Sequence, residues 1–387
     1  MQKKIVVSLC GGTDSAYLSC LDAGIDVSPD GDYEYHTFET DKYASAVSRY
    51  RIPHAIHHGD ANGWDKLKGR DVFLLIAGFP CQPYSVAGKQ LGTSDSRDLS
   101  EVMYDALEGL HPEFYLFENV ESKAKFDWLT RINLIRRQKG WSDAQMYTHD
   151  SAKVSAQSRK RVYITNIPHS ELADKGTVLN DILEDGAMAD RDKSYCLDSN
   201  YFKGGNLNHY YKRKRRQVVF DKNGCKQVGE ADLKGYDIIK RVYSRQGKSP
   251  TLTTMQGGWR MPKVECGQII NRKINPETGK RDDYNPNIKA EPRIETRSDG
   301  KTNTLSTVQK DNVVVNHEQM YWRALTPLEC ERLQTIPDKY TEFGAFPDKK
   351  VTWYTCNRIS NSQRYKMLGN GFCVDTVADI LKGEVNE

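Results

Sequence analysis

Short runs of almost wholly apolar residues recur through the first 185 residues, separated by mixed stretches with helical spacing. Ile5-Val6-Val7-Ser8-Leu9, Val72-Phe73-Leu74-Leu75-Ile76-Ala77, Phe114-Tyr115-Leu116-Phe117 and Val162-Tyr163-Ile164 are too short for helices. Being continuous rather than alternating, they predict strands buried on both faces. Runs of this kind alternating with helix-like segments predict a doubly wound α/β domain around a mostly parallel sheet over residues 1–185. From about residue 186 the apolar runs shorten, Gly, Asn, Lys and Tyr dominate, and turn pairs such as Asn223-Gly224 appear. Residues 186–320 therefore read as a separate, smaller domain of irregular β structure and loops. That segment contains an echo, GKSPTLTTMQ at 247–256 and GKTNTLSTVQ at 300–309, which predicts two similar turn-plus-strand units. Their Lys248, Thr251, Thr253, Lys301 and Thr304 would offer amine and hydroxyl groups suited to phosphates and base edges, although threonine is common in any strand. Helical order returns after Tyr321. Thr326-Pro327-Leu328-Glu329 is a capping box with proline at the first helical position, so a helix should start there, with Leu328, Cys330 or Glu331, and Leu333 on its short buried face. Gly369-Asn370-Gly371 reads as a tight turn before Val374, Val377, Ala378 and Leu381, which share one helix face.

Composition narrows the class. The chain has 387 residues, 38% of them hydrophobic and 28% charged, enough for two modest domains of a water-soluble protein. No apolar run approaches a membrane span, and no signal-peptide pattern is present. Nine cysteines without a C-x-x-C pair argue against a disulfide framework or a structural zinc site, so a reducing cytoplasm and no metal are expected. The net charge of +4 conceals an asymmetry: residues 186–320 hold 26 Lys+Arg against 16 Asp+Glu, and the remainder is net acidic. A basic segment set in an acidic frame is the footprint of a nucleic-acid reader, densest at Lys212-Arg213-Lys214-Arg215-Arg216, although charge blocks also occur as solvated loops.

The candidate chemistry sits at strand ends, where open α/β sheets collect their ligands. Gly78 breaks the run ending at Ala77, and GFPCQPYS (78–85) follows, placing Cys81 between Pro80 and Pro83. Each proline restricts its own φ and the residue before it, so this thiol is held stiffly. Phe114–Phe117 ends in Glu118-Asn119-Val120, whose carboxyl group can hold or donate a proton beside a thiol on the neighbouring strand. Arg159 and Arg161 stand at i and i+2 where the next run begins, so both guanidiniums can be aimed into one cleft. Leu9-Cys10-Gly11-Gly12 follows the first strand, where glycines permit close approach of a ligand. Glu39 and Thr40 end the second strand, with Glu39 suited to ribose hydroxyls. Asp60-Ala61 ends a third, suited to an adenine amino group.

Five blocks in order, GFPCQPYSVAGKQLG (78–92), FENVES (117–122), QSRKRVYI (157–164), RALTPLECERLQTIP (323–337) and RYKMLGNGFCVDTVADIL (364–381), resemble the DNA (cytosine-5) methyltransferase family. The resemblance runs from about Val6 to Leu381 and implies a Rossmann-like catalytic domain closed by residues 321–387, with 186–320 inserted as a target-recognition domain. It implies S-adenosylmethionine as cofactor, touching Leu9, Cys10, Gly11, Gly12, Glu39, Thr40, Asp60, Ala61 and Pro80, with Asn370 closing the site. It implies Cys81 as nucleophile at cytosine C6, Glu118 at N3 and Arg161 at O2. Arg159 would steer a phosphate or support that geometry, and Asn119 would order the loop. Gln82 and Ser85 would grip duplex DNA around a flipped base. A monomer, with or without a cognate restriction endonuclease, is the expected assembly. Position 10 departs from the pattern: the family usually has an aromatic residue there, so either cofactor affinity is lower or Tyr35, Phe38 or another ring compensates. Two alternatives stand beside this reading. A tRNA cytosine-5 methyltransferase shares the blocks in shorter form, while GGTDS (11–15) after a strand resembles the nucleotide loop of ATP pyrophosphatases, with Asp14 as its test residue.

Overall fold

A computed structural model of the chain describes residues 2–80, 83–84, 95, 98–169, 171–184, 187–203, 210, 213–221, 227–230, 241–243, 263–264, 266–275, 282, 285, 288, 291–296, 312–314, 321–347 and 354–385. Cys81, Gln82, Ser85, Lys248, Thr251, Thr253, Lys301 and Thr304 lie outside the described residues.

The apolar runs form one seven-stranded sheet. Its strands are β1 (Lys4–Leu9), β2 (Tyr33–Phe38), β3 (Ile56–His57), β4 (Val72–Ala77), β5 (Phe114–Val120), β6 (Gln145–Asp150) and β7 (Lys160–Thr165). Their order is β3-β2-β1-β4-β5-β7-β6, and the strands are parallel except for β7, which runs antiparallel to both β5 and β6. The predicted doubly wound, mostly parallel sheet is the observed one. Helices α1 (Ser15–Asp22), α2 (Lys42–Arg51), α3 (Ser100–Leu110) and α4 (Lys125–Gln138) follow β1, β2, β4 and β5. Both faces of the sheet are covered, which is why the runs are continuous. Ile5, Val7, Leu9, Leu75 and Ala77 pack with Met103, Leu107, Trp128 and Ile132, whereas Val6, Leu74 and Ile76 pack with Ala16, Cys20, Val377 and Ile380. Each fully buried Leu, Ile or Val of this set contributes about 1.5–3 kcal/mol of transfer free energy.

The C-terminal segment returns as α5 (Pro327–Leu333), α6 (Asn361–Asn370) and α7 (Val374–Val385). The capping box opens α5 as predicted: Thr326 Oγ accepts from the Glu329 N–H, and the Glu329 carboxylate accepts from the Thr326 N–H at 2.8 Å. Cys330, Glu331 and Leu333 are buried as expected, whereas Leu328 is only half-buried and Glu329 lies inside with them. Glu331 meets the buried Arg364 guanidinium at 2.8 Å and accepts the Lys339 and Thr341 N–H groups, which keeps that charge partnered. The expected turn at 369–371 is also corrected. Gly369 and Asn370 are the last residues of α6, and Gly371-Phe372-Cys373 makes the link to α7.

The chain divides into two compact units, one of residues 1–184, 191–218 and 324–387, the other of 185–190 and 219–323. The first break falls after residue 184, and the chain returns to the first unit over residues 191–218, which buried tyrosines anchor there. Tyr201 accepts from the Leu325 N–H at 2.9 Å, donates to the Gln217 carbonyl, and packs 5.4 Å from Tyr365. In the second unit, Cys266–Arg272 pairs antiparallel with Glu291–Thr296 and with Asn312–Val314.

Candidate active site

A cavity of about 400 Å³ opens in the first unit at the carboxyl ends of the parallel strands. Three stretches of backbone build its first end. Cys10, Gly11 and Gly12 follow β1; Glu39, Thr40 and Asp41 follow β2; Asp60, Ala61 and Asn62 follow β3. Glu39 Oε2 accepts the Gly12 N–H at 2.8 Å and Oε1 accepts the Asp41 N–H at 2.6 Å, so one carboxylate joins two loops. Burial pushes its pKa up, opposed by these backbone donors. Asp60 caps the turn after β3 by accepting from Asn62 N–H.

Cys10 lies here with φ 55°, and burial, then the charges of Glu39 and Asp60, push its thiol up to about 12. It stays protonated at neutral pH and is no nucleophile. The rings that line the cavity are Phe38, Phe79 and Phe372. Phe38 stacks on His58 at 4.6 Å. Tyr35 does not compensate: it is buried in the opposite core, with its hydroxyl donating to Asp14. Leu9 is likewise a core residue and does not line the cavity.

The second end holds the acid and the guanidiniums. Because β4 and β5 are parallel with Ala77 beside Phe117, the exits Gly78 and Glu118 are neighbours. Glu118 Oε1 lies 3.0 Å from Nε of Arg161, and both side chains are about nine-tenths buried. Arg161 reaches it because β7 runs antiparallel to β5, with Val120 opposite Arg161. Asn119 does not line the cavity; its Nδ2 donates to the Phe79 carbonyl at 3.2 Å, which holds the strand exit just before Pro80 and Cys81. Arg159 lines the cavity, yet its donors are already engaged by the carbonyls of Leu197 at 3.1 Å and Gly371 at 2.7 Å. The Cys196 sulfur lies 3.6 Å from Arg159 Nη1 and 3.8 Å from Arg161 Nη2.

The α6 end completes the wall with Lys366, Met367, Gly369 and Asn370. Lys366 was missed from sequence; its ammonium meets Asp41 at 2.7 Å. Its spacing of four residues from Asn370 on one helix was the available signal. Phe372 was missed too, and Gly78 is small on its account: a Cβ there would lie 2.5 Å from the Phe372 ring. Asp14, the test residue of the ATP pyrophosphatase alternative, is fully buried under hydroxyl donors and does not line the cavity.

Residues 31–384 match the family model described as C-5 cytosine-specific DNA methylase. The chain is 27% identical to orphan methyltransferase M.Rho11sI of Bacillus phage rho11s, over 99% of this chain and 98% of that one. It is 25% identical to type II methyltransferase M.BanI of Aneurinibacillus aneurinilyticus, over 81% and 82% respectively. The structure of the Entamoeba histolytica methyltransferase EhMeth aligns over 100% of both chains with a TM-score of 0.52 and 12% identity, a likeness of fold.

Proposed function

The chain belongs to the C-5 cytosine-specific DNA methylase family, and on that premise we propose that it methylates C5 of a flipped cytosine in a specific duplex DNA sequence. The observation that carries the reading is the Glu118–Arg161 pair, a carboxylate and a guanidinium side by side in one cavity with two acid-tipped loops and a glycine turn.

S-adenosylmethionine fits the first end of the cavity and would supply an electrophilic methyl group. Glu39 retains acceptor capacity for ribose hydroxyls beyond its two backbone donors, and Asp60 can accept from an amino group. Phe38 and Phe372 offer apolar ring surface, and Asn370 lines the same cavity.

At the second end, the Cys81 thiolate attacks C6 of the flipped base. The displaced electron density moves towards N3 and O2, where Glu118 protonates or hydrogen-bonds N3 and Arg161 stabilises O2. C5 becomes enamine-like and takes the methyl group. A base then removes the C5 proton and the thiolate leaves as the ring double bond re-forms. Arg159 keeps Gly371 and Leu197 in place, and Asn119 fixes the backbone before the nucleophile. Flipping the base costs a few kcal/mol, offset by contacts with the DNA. Gln82 and Ser85 are proposed to supply some of these, and Lys248, Thr251, Thr253, Lys301 and Thr304 others from a target-recognition unit. M.Rho11sI, a relative matched over nearly its whole length, is named an orphan methyltransferase, which supports action without a paired endonuclease.

Bisulfite sequencing of host DNA after expression tests the reading. Protected cytosines in one sequence context support it; an unmodified genome together with methylated tRNA would replace DNA by RNA as substrate.

A further inference from the structure

We propose that Asp14 is a positioning residue for the cofactor end of the cavity, locking the glycine loop onto β2 and α2 from beneath. The proposal rests on the S-adenosylmethionine reading above. Asp14 precedes α1 but gives that helix no side-chain cap, and it holds a left-handed backbone, φ 57° and ψ 46°, that L side chains rarely adopt. Its fully buried carboxylate instead accepts from three hydroxyls on two other elements: Thr37 at 2.7 Å and Tyr35 at 3.1 Å on β2, and Ser48 on α2.

These are the elements whose ends carry the cavity. Thr37 lies two residues before Glu39, and Ser48 stands on the helix that Asp41 caps. Above the carboxylate the Gly11 N–H donates to the Phe38 carbonyl at 3.0 Å, and the Gly12 N–H donates to Glu39. Gly11 rests directly on the cluster, for a Cβ there would lie 2.4 Å from Asp14 Oδ1 and 2.5 Å from Thr37 Oγ1. The height of the glycine loop relative to Glu39 is therefore set by a carboxylate that does not line the cavity. A buried acceptor with three matched donors is rigid, and rigidity beneath a ligand loop lowers the ordering cost of binding.

The test is equilibrium binding of S-adenosylmethionine, with steady-state kinetics, on Asp14→Gly, Ser48→Ala and Tyr35→Phe. Asp14→Gly removes the carboxylate while suiting the left-handed backbone. The expected result is affinity at least tenfold weaker and a matching rise in KM for S-adenosylmethionine, with kcat at saturating cofactor within threefold of wild type. The two single-donor variants should each lose two- to fivefold. A lowered melting midpoint with wild-type affinity in the folded Asp14→Gly protein would overturn the proposal. If that variant does not fold, wild-type affinity in both donor variants overturns it. Wild-type protein that fails to bind S-adenosylmethionine removes the cofactor reading itself, and the proposal with it.

Discussion

The Nε of Arg161 lies 3.0 Å from Oε1 of Glu118 across the antiparallel pair β5–β7, and the two charges are nearly buried together. A pair so placed contributes little net stability, because desolvation offsets most of the attraction. Its value is positional: a guanidinium and a carboxyl group are held side by side in one cavity, as the proposed contacts to a pyrimidine's O2 and N3 require.

Glu118→Gln should therefore lower kcat by about 10²–10⁴. Arg161→Ala should lower it by about 10²–10³. Both should leave S-adenosylmethionine affinity within a few-fold of wild type. Single-turnover methylation alongside equilibrium cofactor binding checks this. A large loss of cofactor affinity would place the pair in cofactor binding instead.

Arg159 should behave differently. Its forked donors hold Leu197 and Gly371, so Arg159→Lys removes geometry rather than charge. The variant should be less stable by about 1.5–3 kcal/mol in a denaturant titration. Its cofactor affinity should fall with its stability, because Gly371 lines the cavity.

The strands and their buried faces were legible because continuous apolar runs bounded by glycine have few other solutions. Val72–Ala77 and Phe114–Phe117 became β4 and β5 for that reason, with Glu118 and Arg161 converging beyond them. The capping box before α5 was legible because its side chains satisfy backbone groups locally. What was hidden depends on partners distant in sequence. Gly369 and Asn370 read as a turn, yet Arg364, bound to Glu331, secures the helix that ends with them. Tyr35 looked available to a ligand until Asp14 claimed its hydroxyl, and Lys366, although inside the 364–381 block, gave no sign of its place because its partner Asp41 caps a helix distant in sequence.

Burial raises the Asp14 carboxyl from the ordinary 3.8 to about 6. Between these values the native state keeps a proton that the unfolded chain has released, so stability declines as pH rises through that window. The difference amounts to about 3 kcal/mol. Asp14→Asn should remove this slope, and unfolding titrations at pH 4 and pH 7 on both proteins measure it. An unchanged pH dependence in the variant would show that Asp14 is not its source.

Gly78→Ala places a methyl group against the Phe372 ring. Overpacking of this kind costs about 1–3 kcal/mol. It should distort the exit of β4 and reduce methylation. Phe372→Ala in the same chain should recover the stability in a double-mutant cycle, though not the activity, since Phe372 lines the cavity. Simple additivity of the two losses would contradict the contact.

Denaturing electrophoresis and mass measurement after incubation with S-adenosylmethionine and duplex DNA carrying 5-fluorocytosine test the central claim most directly. Fluorine at C5 cannot leave as a cation, so methyl transfer should strand Cys81 on C6. Wild-type protein should migrate as a stable protein–DNA adduct carrying one added methyl group, and Cys81→Ser should form none. An adduct in the Cys81→Ser protein, or full methylation of ordinary cytosine by it, would contradict covalent attack by this thiol.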